Sequence, residues 1–241
     1  MDTPWQRVLG RAETLFIDHA AIRPLYRNFH PVAPLHGRPV RMWRSSQPTS
    51  GQYARWAARG IRTVINLRGQ RDCASYLLEV EGCRRHGLTL IDLPITSRDM
   101  PAKAVLLRAR AALASIDYPA VLHCKSGADR AGIMSVLYLH WQEGEPIASA
   151  LRHLALRYGH VRYAKTGMLD FFFETYLADA DAAAAAAAAA ASAEGHDDTD
   201  VATPLTFDRW IDEVYDPDDL RARFRPSRLA EAIVSGLLRR E

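Results

Sequence analysis

The sequence predicts an α/β fold: a mostly parallel central sheet of four to five strands, flanked by helices on both faces, with a helical C-terminal extension. Three observations point there. Between Val40 and Ala180, short apolar and β-branched runs alternate with longer stretches of helical spacing. The run Ala120-Val121-Leu122 is continuously apolar, as a strand buried on both faces must be. Beyond residue 205 the pattern is helical only, in two short pieces.

The elements follow in order. Residues 1–39 mix short helical stretches with Pro24, Pro31, Pro34 and Pro39 and read as a lead-in packed on the core. The main domain is expected over 40–180. Val40–Trp43 reads as its first strand, and Thr49 or Ser50 caps a helix that ends at Gly60. Ile61–Leu67 is a β-branched strand, Asp72–His86 a helix stopped by Gly87, and Leu88–Ile95 the next strand. Pro101 opens a helix to about Ile116, at a first-turn position where its missing N–H costs nothing. Ala120–His123 is a strand, followed by helices at Arg130–Gln142, Pro146–Tyr158 and Thr166–Ala180. Residues 181–205 read as an alanine-rich and acidic linker; the run Ala182–Ala191 either extends the preceding helix into solvent or frays. In 206–241, Phe207–Tyr215 and Leu229–Leu238 form short amphipathic helices. They are too small for a core of their own and are expected to dock on the main body or on a second subunit.

Composition narrows the function. A chain of 241 residues with 48% hydrophobic content can bury a sizeable core. A net charge of +3 is too small to indicate nucleic-acid binding but suits an anionic substrate. No run approaches the roughly 18 apolar residues of a membrane span. Leu15–Tyr26 is interrupted by Asp18, His19 and Arg23 and lacks the features of a secretory signal. Three cysteines make no disulfide framework, so reduced thiols and a cytoplasmic setting are expected. Cys73 and Cys83 read as ordinary half-buried residues; the alternative is a protective disulfide to Cys124 under oxidation.

The chemistry concentrates in His123-Cys124-Lys125-Ser126-Gly127-Ala128-Asp129-Arg130-Ala131-Gly132. An apolar strand precedes this stretch and the apolar helix Ile133–Trp141 follows it. Strand, tight loop and helix N-terminus in that order form an anion site, with loop N–H groups pointing inward under the helix dipole. A cysteine there loses its proton readily. An arginine closing the loop offers a planar fork that matches two phosphate oxygens. A buried free cysteine with a structural arginine would account for neither Gly127 nor the polar residues between two apolar elements.

This arrangement resembles the cysteine-based phosphatases, the protein tyrosine and dual-specificity superfamily with its Cys-x5-Arg signature, in a bacterial dual-specificity-like branch. The resemblance spans Arg44 to Gly167 and includes Arg44–Pro48, Gly60–Gly69 and Tyr158–His160. It implies the cysteine phosphatase fold, no cofactor, no metal, and a phosphorylated protein or small phosphorylated molecule as partner. Cys124 is then the nucleophile and Arg130 the clamp. Lys125, Ser126, Gly127, Ala128, Asp129 and Arg130 bind the phosphate. His123 orients the loop.

A general acid is needed for the leaving alcohol, and two candidates stay open. Asp99 lies in the loop after the third strand of the main domain, where the dual-specificity pattern places its acid; capping the next helix is its other role. Asp129 lies inside the cysteine loop, at the position of an aspartate in some lipid phosphatases; holding the loop by hydrogen bonds is its other role. Asp92, within a strand, reads as structural. Arg44, Ser46 and Gln47 read as packing around the sheet, and Arg68 as a structural ion pair. His160 and Lys165 read as lining the cleft. The group Arg221, Arg223, Arg225 and Arg228 reads as a solvated helix face, with peripheral membrane contact as its alternative. Ala131 departs from the family pattern, which has Ser or Thr there to help the thiolate leave; a slow second step with a burst of product is expected.

Protein phosphotyrosine or phosphoserine/threonine is the expected substrate. A phosphorylated lipid, inositol or sugar is the alternative, favoured by Lys125 and Asp129. A degenerate phosphate-binding module is a second alternative, and arsenate reduction or sulfur transfer would need resolving cysteines that Cys73 and Cys83 are not clearly placed to supply.

Overall fold

The computed structural model describes residues 28–35, 37–194 and 203–227. Expectations for residues 1–27, for Gly195–Asp200, for Leu229–Leu238 and for Arg228 lie outside the described residues. Ala120–His123 (β5) forms the centre of the sheet. Its residues are buried throughout, and it pairs in parallel with Met42–Ser45 (β2) on one side and Thr63–Asn66 (β3) on the other. Thr89–Asp92 (β4) adds in parallel to β3. The two-residue His30–Pro31 (β1) pairs antiparallel with β2, giving the order β1-β2-β5-β3-β4.

Successive strand residues point to opposite faces, and the two core clusters follow that alternation. Val64 and Val121 pack with Tyr53 and Trp56 of Ser50–Ala58 (α1) and with Cys83 of Ala74–Arg85 (α2). Ile65 and Leu122 pack on the other face with Leu106, Ala109 and Leu113 of Lys103–Ser115 (α3), and with the central helix Asp129–Glu143 (α4). Eleven of the fifteen α4 residues are buried. Each fully buried Leu or Ile side chain contributes about 1.5–3 kcal/mol relative to exposure, so this face dominates the core. Helices on both faces and a mostly parallel sheet match the expected class.

Some boundaries moved for physical reasons. β2 begins two residues later than Val40 because it runs level with β5, Met42 opposite Ala120 and Ser45 opposite His123. Thr49 caps α1, its backbone N–H donating to Gln52 Oε1 at 2.8 Å. The single helix expected over 146–158 is instead Ile147–Ala150 (α5) followed by two 3-10 turns, Leu151–His153 and Leu156–Tyr158. Arg44 takes the His153 carbonyl at 2.7 Å, and the His153 ring stacks on Tyr158 with centroids 5.6 Å apart. Those contacts cost the regular helix its continuation.

Met168–Glu194 (α6) continues the helix through the alanine run. Phe207–Glu213 (α7) and Pro217–Arg223 (α8) follow it. Phe207, Trp210 and Tyr215 are buried and meet Phe172 and Tyr176 of α6 in edge-to-face or tilted ring contacts. Trp210 Nε1 donates to Asp179 at 2.7 Å and Trp141 Nε1 to Asp208 at 2.9 Å. The C-terminal helices thus dock on the body of the same chain. Helix α8 carries its own start signals, an Asp216 cap donated to by Asp218 N–H at 2.8 Å and Pro217 in the first turn. Among the described residues no helix is long and apolar enough to cross a membrane.

Candidate active site

The loop 124–128 joins the carboxyl end of β5 to the N-terminus of α4, the edge at which ligands bind in parallel sheets. Its shape is set by what holds its carbonyls. Lys125 C=O accepts from Gln47 N–H at 3.1 Å, and Ser126 C=O from Asn28 Nδ2 at 3.0 Å. Gly127 and Ala128 C=O both accept from Arg44 Nη2, each at 2.8 Å. Carbonyls fastened in this way leave the N–H groups to the opposite side, as an anion-binding concavity requires. The α4 N-terminus adds roughly half a positive charge.

Arg44 is the centre of that scaffold. It is fully buried, and its guanidinium lies 4.0 Å from the centroid of the Tyr158 ring. Burial first, then Arg44 and further arginines, push His153 down to about 3, so the ring beside this cation stays neutral. Gly127 has φ +72°, and a Cβ there would lie 2.7 Å from the Ser45 carbonyl carbon and Ser46 nitrogen. Both the backbone conformation and the close approach require glycine.

Cys124 is 2% exposed, and its Sγ accepts from Gly127 N–H at 3.1 Å. Lys125, Ser126 and Arg130 are half-buried, whereas Gly127, Ala128 and Asp129 are buried. Asp129, the first residue of α4, is 6% exposed; its Oδ1 lies 2.8 Å from His160 Nδ1, and His160 Nε2 lies 2.6 Å from Asp170 Oδ2. His160 is 1% exposed, so it does not line a cleft. Lys165, expected beside it, is exposed on a 3-10 turn.

His123 is a buried histidine bonded into the core. Its ring turns to Glu79 of α2, Nε2 to Oε1 at 2.5 Å, and Nδ1 finds no partner among the described residues. Glu79 also accepts from Gln47 Nε2 at 3.1 Å, and Gln47 Oε1 accepts from Arg68 at 2.8 Å. Arg68 is therefore hydrogen-bonded to an amide. This chain joins the element Arg44–Pro48 to the strand that leads into the loop.

Asp99 belongs to a second loop at the carboxyl ends of the strands. It follows β4, two strands from β5, or about 10 Å in sheet spacing. Its side chain is 47% exposed. Oδ1 accepts from Met100 N–H at 2.8 Å and from Arg221 Nε of α8 at 2.5 Å. The adjacent Pro101 carbonyl accepts from the buried Tyr215 hydroxyl at 2.7 Å. Asp92 accepts from Asn66 and Tyr76, a structural use.

Sequence reasoning passed over Asn28, Glu79, Asp170 and the link from Arg221 to Asp99. The Arg44–Pro48 motif was visible, but only the fold shows that Arg44 reaches residues more than 80 positions away. Beside Cys124, the Gly127 amide and the N-terminus of α4 make a setting suited to an anion.

Comparison with known proteins finds a family match and structural likenesses. No curated protein matches the chain. Among solved structures, P. aeruginosa TpbA is 20% identical with TM-score 0.44, covering 56% of this chain and 76% of its own. The core catalytic domain of the PP-IP phosphatase SIW14 from S. cerevisiae is 15% identical with TM-score 0.47, covering 60% and 85%. The profile of the DSP-PTPase phosphatases fused to NAD+ kinase matches residues 25–163, more than half of the 241 residues. The chain belongs to this family and is a cysteine-dependent phosphatase.

Proposed function

We propose that the protein hydrolyses phosphate monoesters through a phosphocysteine intermediate, with phosphotyrosine or phosphoserine/threonine on protein as substrate. The observation that carries this is the fastening of the Lys125, Ser126, Gly127 and Ala128 carbonyls away from the cradle that holds Cys124. The dianion enters the cradle, where amide N–H groups and the Arg130 fork offset its charge. Cys124 Sγ attacks phosphorus, the bond to the leaving oxygen breaks, and Asp99 gives that oxygen a proton. Water then attacks the phosphocysteine and passes its proton to the Asp99 carboxylate; inorganic phosphate leaves and the thiolate returns. This route needs no metal ion.

Asp99 is the better proton donor because both of its hydrogen bonds fall on Oδ1. Asp129 already accepts from a buried imidazole, which suits an anchor. A second substrate class, a phosphorylated lipid, inositol or sugar, is favoured by Lys125, a half-buried cation within the loop.

The test is phosphate release from p-nitrophenyl phosphate, phosphopeptides, phosphoinositides and sugar phosphates. Cys124→Ser is expected to lose roughly 10⁴-fold or more in turnover while still binding phosphate, and vanadate is expected to inhibit the wild type. A serine variant with full activity would overturn the mechanism.

A further inference from the structure

A pocket of about 350 Å³ lies between the start of α6 and the segment that follows α8. It is large enough for a side chain or a small ligand. Two close approaches fix its walls. Ser227 N–H donates to the Tyr163 carbonyl at 3.0 Å and so ties the tail of α8 to the loop before α6. A Cβ on Gly167 would lie 1.6 Å from the Arg162 oxygen, so glycine is what lets that loop fold back on the turn that opens α6.

The lining is basic and aromatic. Arg162, Arg223 and Arg225 border the pocket together with Phe171 and Phe224. Both rings are half-buried, with centroids 5.7 Å apart, and the Arg223 guanidinium lies 5.8 Å from the Phe171 centroid. Two carboxylates share the lining. Asp170 is 6% exposed and bonded to His160, Oδ2 to Nε2 at 2.6 Å. Glu174 pairs with Arg162 at 2.6 Å, with side chains 38% and 59% exposed. A pair so open to water is weak, and an incoming anion competes for the same guanidinium. Arg223 pairs with the exposed Asp219 at 3.0 Å. Arg225 is held by the Ala222 and Phe224 carbonyls, and among the described residues no carboxylate pairs with it.

We propose that this pocket is a second anion subsite of the phosphatase: it takes an acidic side chain, carboxylate or phosphate, that flanks the phosphorylated residue of a peptide substrate. The proposal rests on the phosphatase reading of the cysteine loop, and the pocket walls continue the two loops which that reading uses. On one side Asp170 leads through His160 to Asp129, the residue before Arg130, with a single imidazole between the two carboxylates. On the other side Arg223–Ser227 extends from Arg221, whose Nε donates to Asp99 at 2.5 Å. An extended peptide advances about 3.3 Å per residue, so a side chain a few positions from the phosphorylated one reaches the pocket. Such a side chain offers what the lining asks for: an apolar stem against Phe171 and Phe224, and an anionic end that matches the guanidinium forks of Arg162 and Arg225.

The test uses the full chain and three phosphotyrosine peptides of one length, flanked by alanines, by aspartates, or by alanines and one phosphoserine. Turnover is read from the fluorescence of the freed tyrosine. The quantity compared is kcat/KM for each acidic peptide relative to the neutral one, a ratio in which a general loss of activity cancels. The wild type is expected to favour at least one acidic peptide by about tenfold, the scale of a charge-assisted hydrogen bond, mainly through KM. The larger gain, with aspartate or with phosphoserine, tells carboxylate from phosphate. The double variant Arg162→Ala/Arg225→Ala is expected to abolish the preference, and Arg225→Glu to reduce it. A wild type with no preference for either acidic peptide would overturn the proposal, as would a folded double variant that keeps the wild-type ratio. So would an advantage confined to bisphosphorylated over monophosphorylated inositol or sugar substrates and lost in the same variant, because the occupant would then be of another class. If the double variant does not fold, Arg225→Glu carries the test, and an unchanged ratio overturns the proposal. Failure of the phosphatase reading is distinct, because the wild type would then release no more phosphate from any of the peptides than Cys124→Ser does.

Discussion

The loop after β5 and the loop after β4 leave the same edge of the sheet, yet they are fastened by different means. The cysteine loop is tied from inside the molecule. Its carbonyls are taken by Arg44, Asn28 and Gln47, its glycine leans on the Ser45–Ser46 backbone, and its last carboxylate is held by His160. The Asp99 loop is tied from outside, by an exposed Arg221 of α8 and by the hydroxyl of Tyr215, between α7 and α8. A phosphate cradle must not reorganise as charge shifts in the transition state, which favours the first design. A proton donor has to exchange protons with water in each cycle, and a half-exposed carboxylate on a surface loop allows that.

The sharpest break of this contrast is Gly127→Ala. At φ +72°, with the Ser45 carbonyl carbon 2.7 Å from the added Cβ, the loop must shift. The strain destabilises the fold by about 1–3 kcal/mol. Displacement of the amides by even 1 Å lowers kcat/KM by about 100-fold. Denaturant melts and steady-state kinetics read the two effects. A variant that kept wild-type activity would show that the cradle tolerates movement.

The next effect separates the two aspartates. Asp99→Asn is expected to lower kcat about 10²–10⁴-fold on a phosphoserine peptide, whose leaving alcohol needs a proton. The loss on p-nitrophenyl phosphate, with its acidic leaving group, is expected to be much smaller. Asp129→Asn is expected to affect both substrates alike and to cost about 1–3 kcal/mol of stability through the buried bridge. The reverse pattern of leaving-group dependence would assign the proton to Asp129.

The two loops also differ in how far they could be read from the chain alone. The strand Ala120–His123, the turn at Gly127 and the helix behind it are contiguous, and local apolar runs mark each boundary. What fastens the loop comes from Asn28, Arg44 and His160, which no local pattern connects to it. The same non-local demand broke the expected helix over 146–158, because periodicity cannot register that Arg44 takes the His153 carbonyl. Helix α8 is a different case. Asp216-Pro217 is a readable start signal, but a seven-residue helix has too little apolar face to stand out, with Leu220 its buried residue. Arg221 therefore read as part of a solvated face.

That exposed arginine gives the smallest effect and the most direct probe of the outer fastening. An ion pair with both side chains near half exposure is screened by solvent and adds little to global stability. Arg221→Ala should therefore leave the melting temperature nearly unchanged. It also loosens the Asp99 loop, which keeps the Tyr215–Pro101 hydrogen bond as a tie to the C-terminal segment. The expected result is a fall in kcat of about two- to fivefold on phosphoserine substrates, the scale of one exposed pair, with phosphate binding unaltered. In an Asp99→Asn background the same change should have no further effect on kcat, because the residue it positions no longer carries a proton. An additive loss in that background would mean that α8 acts on the site by a route other than Asp99.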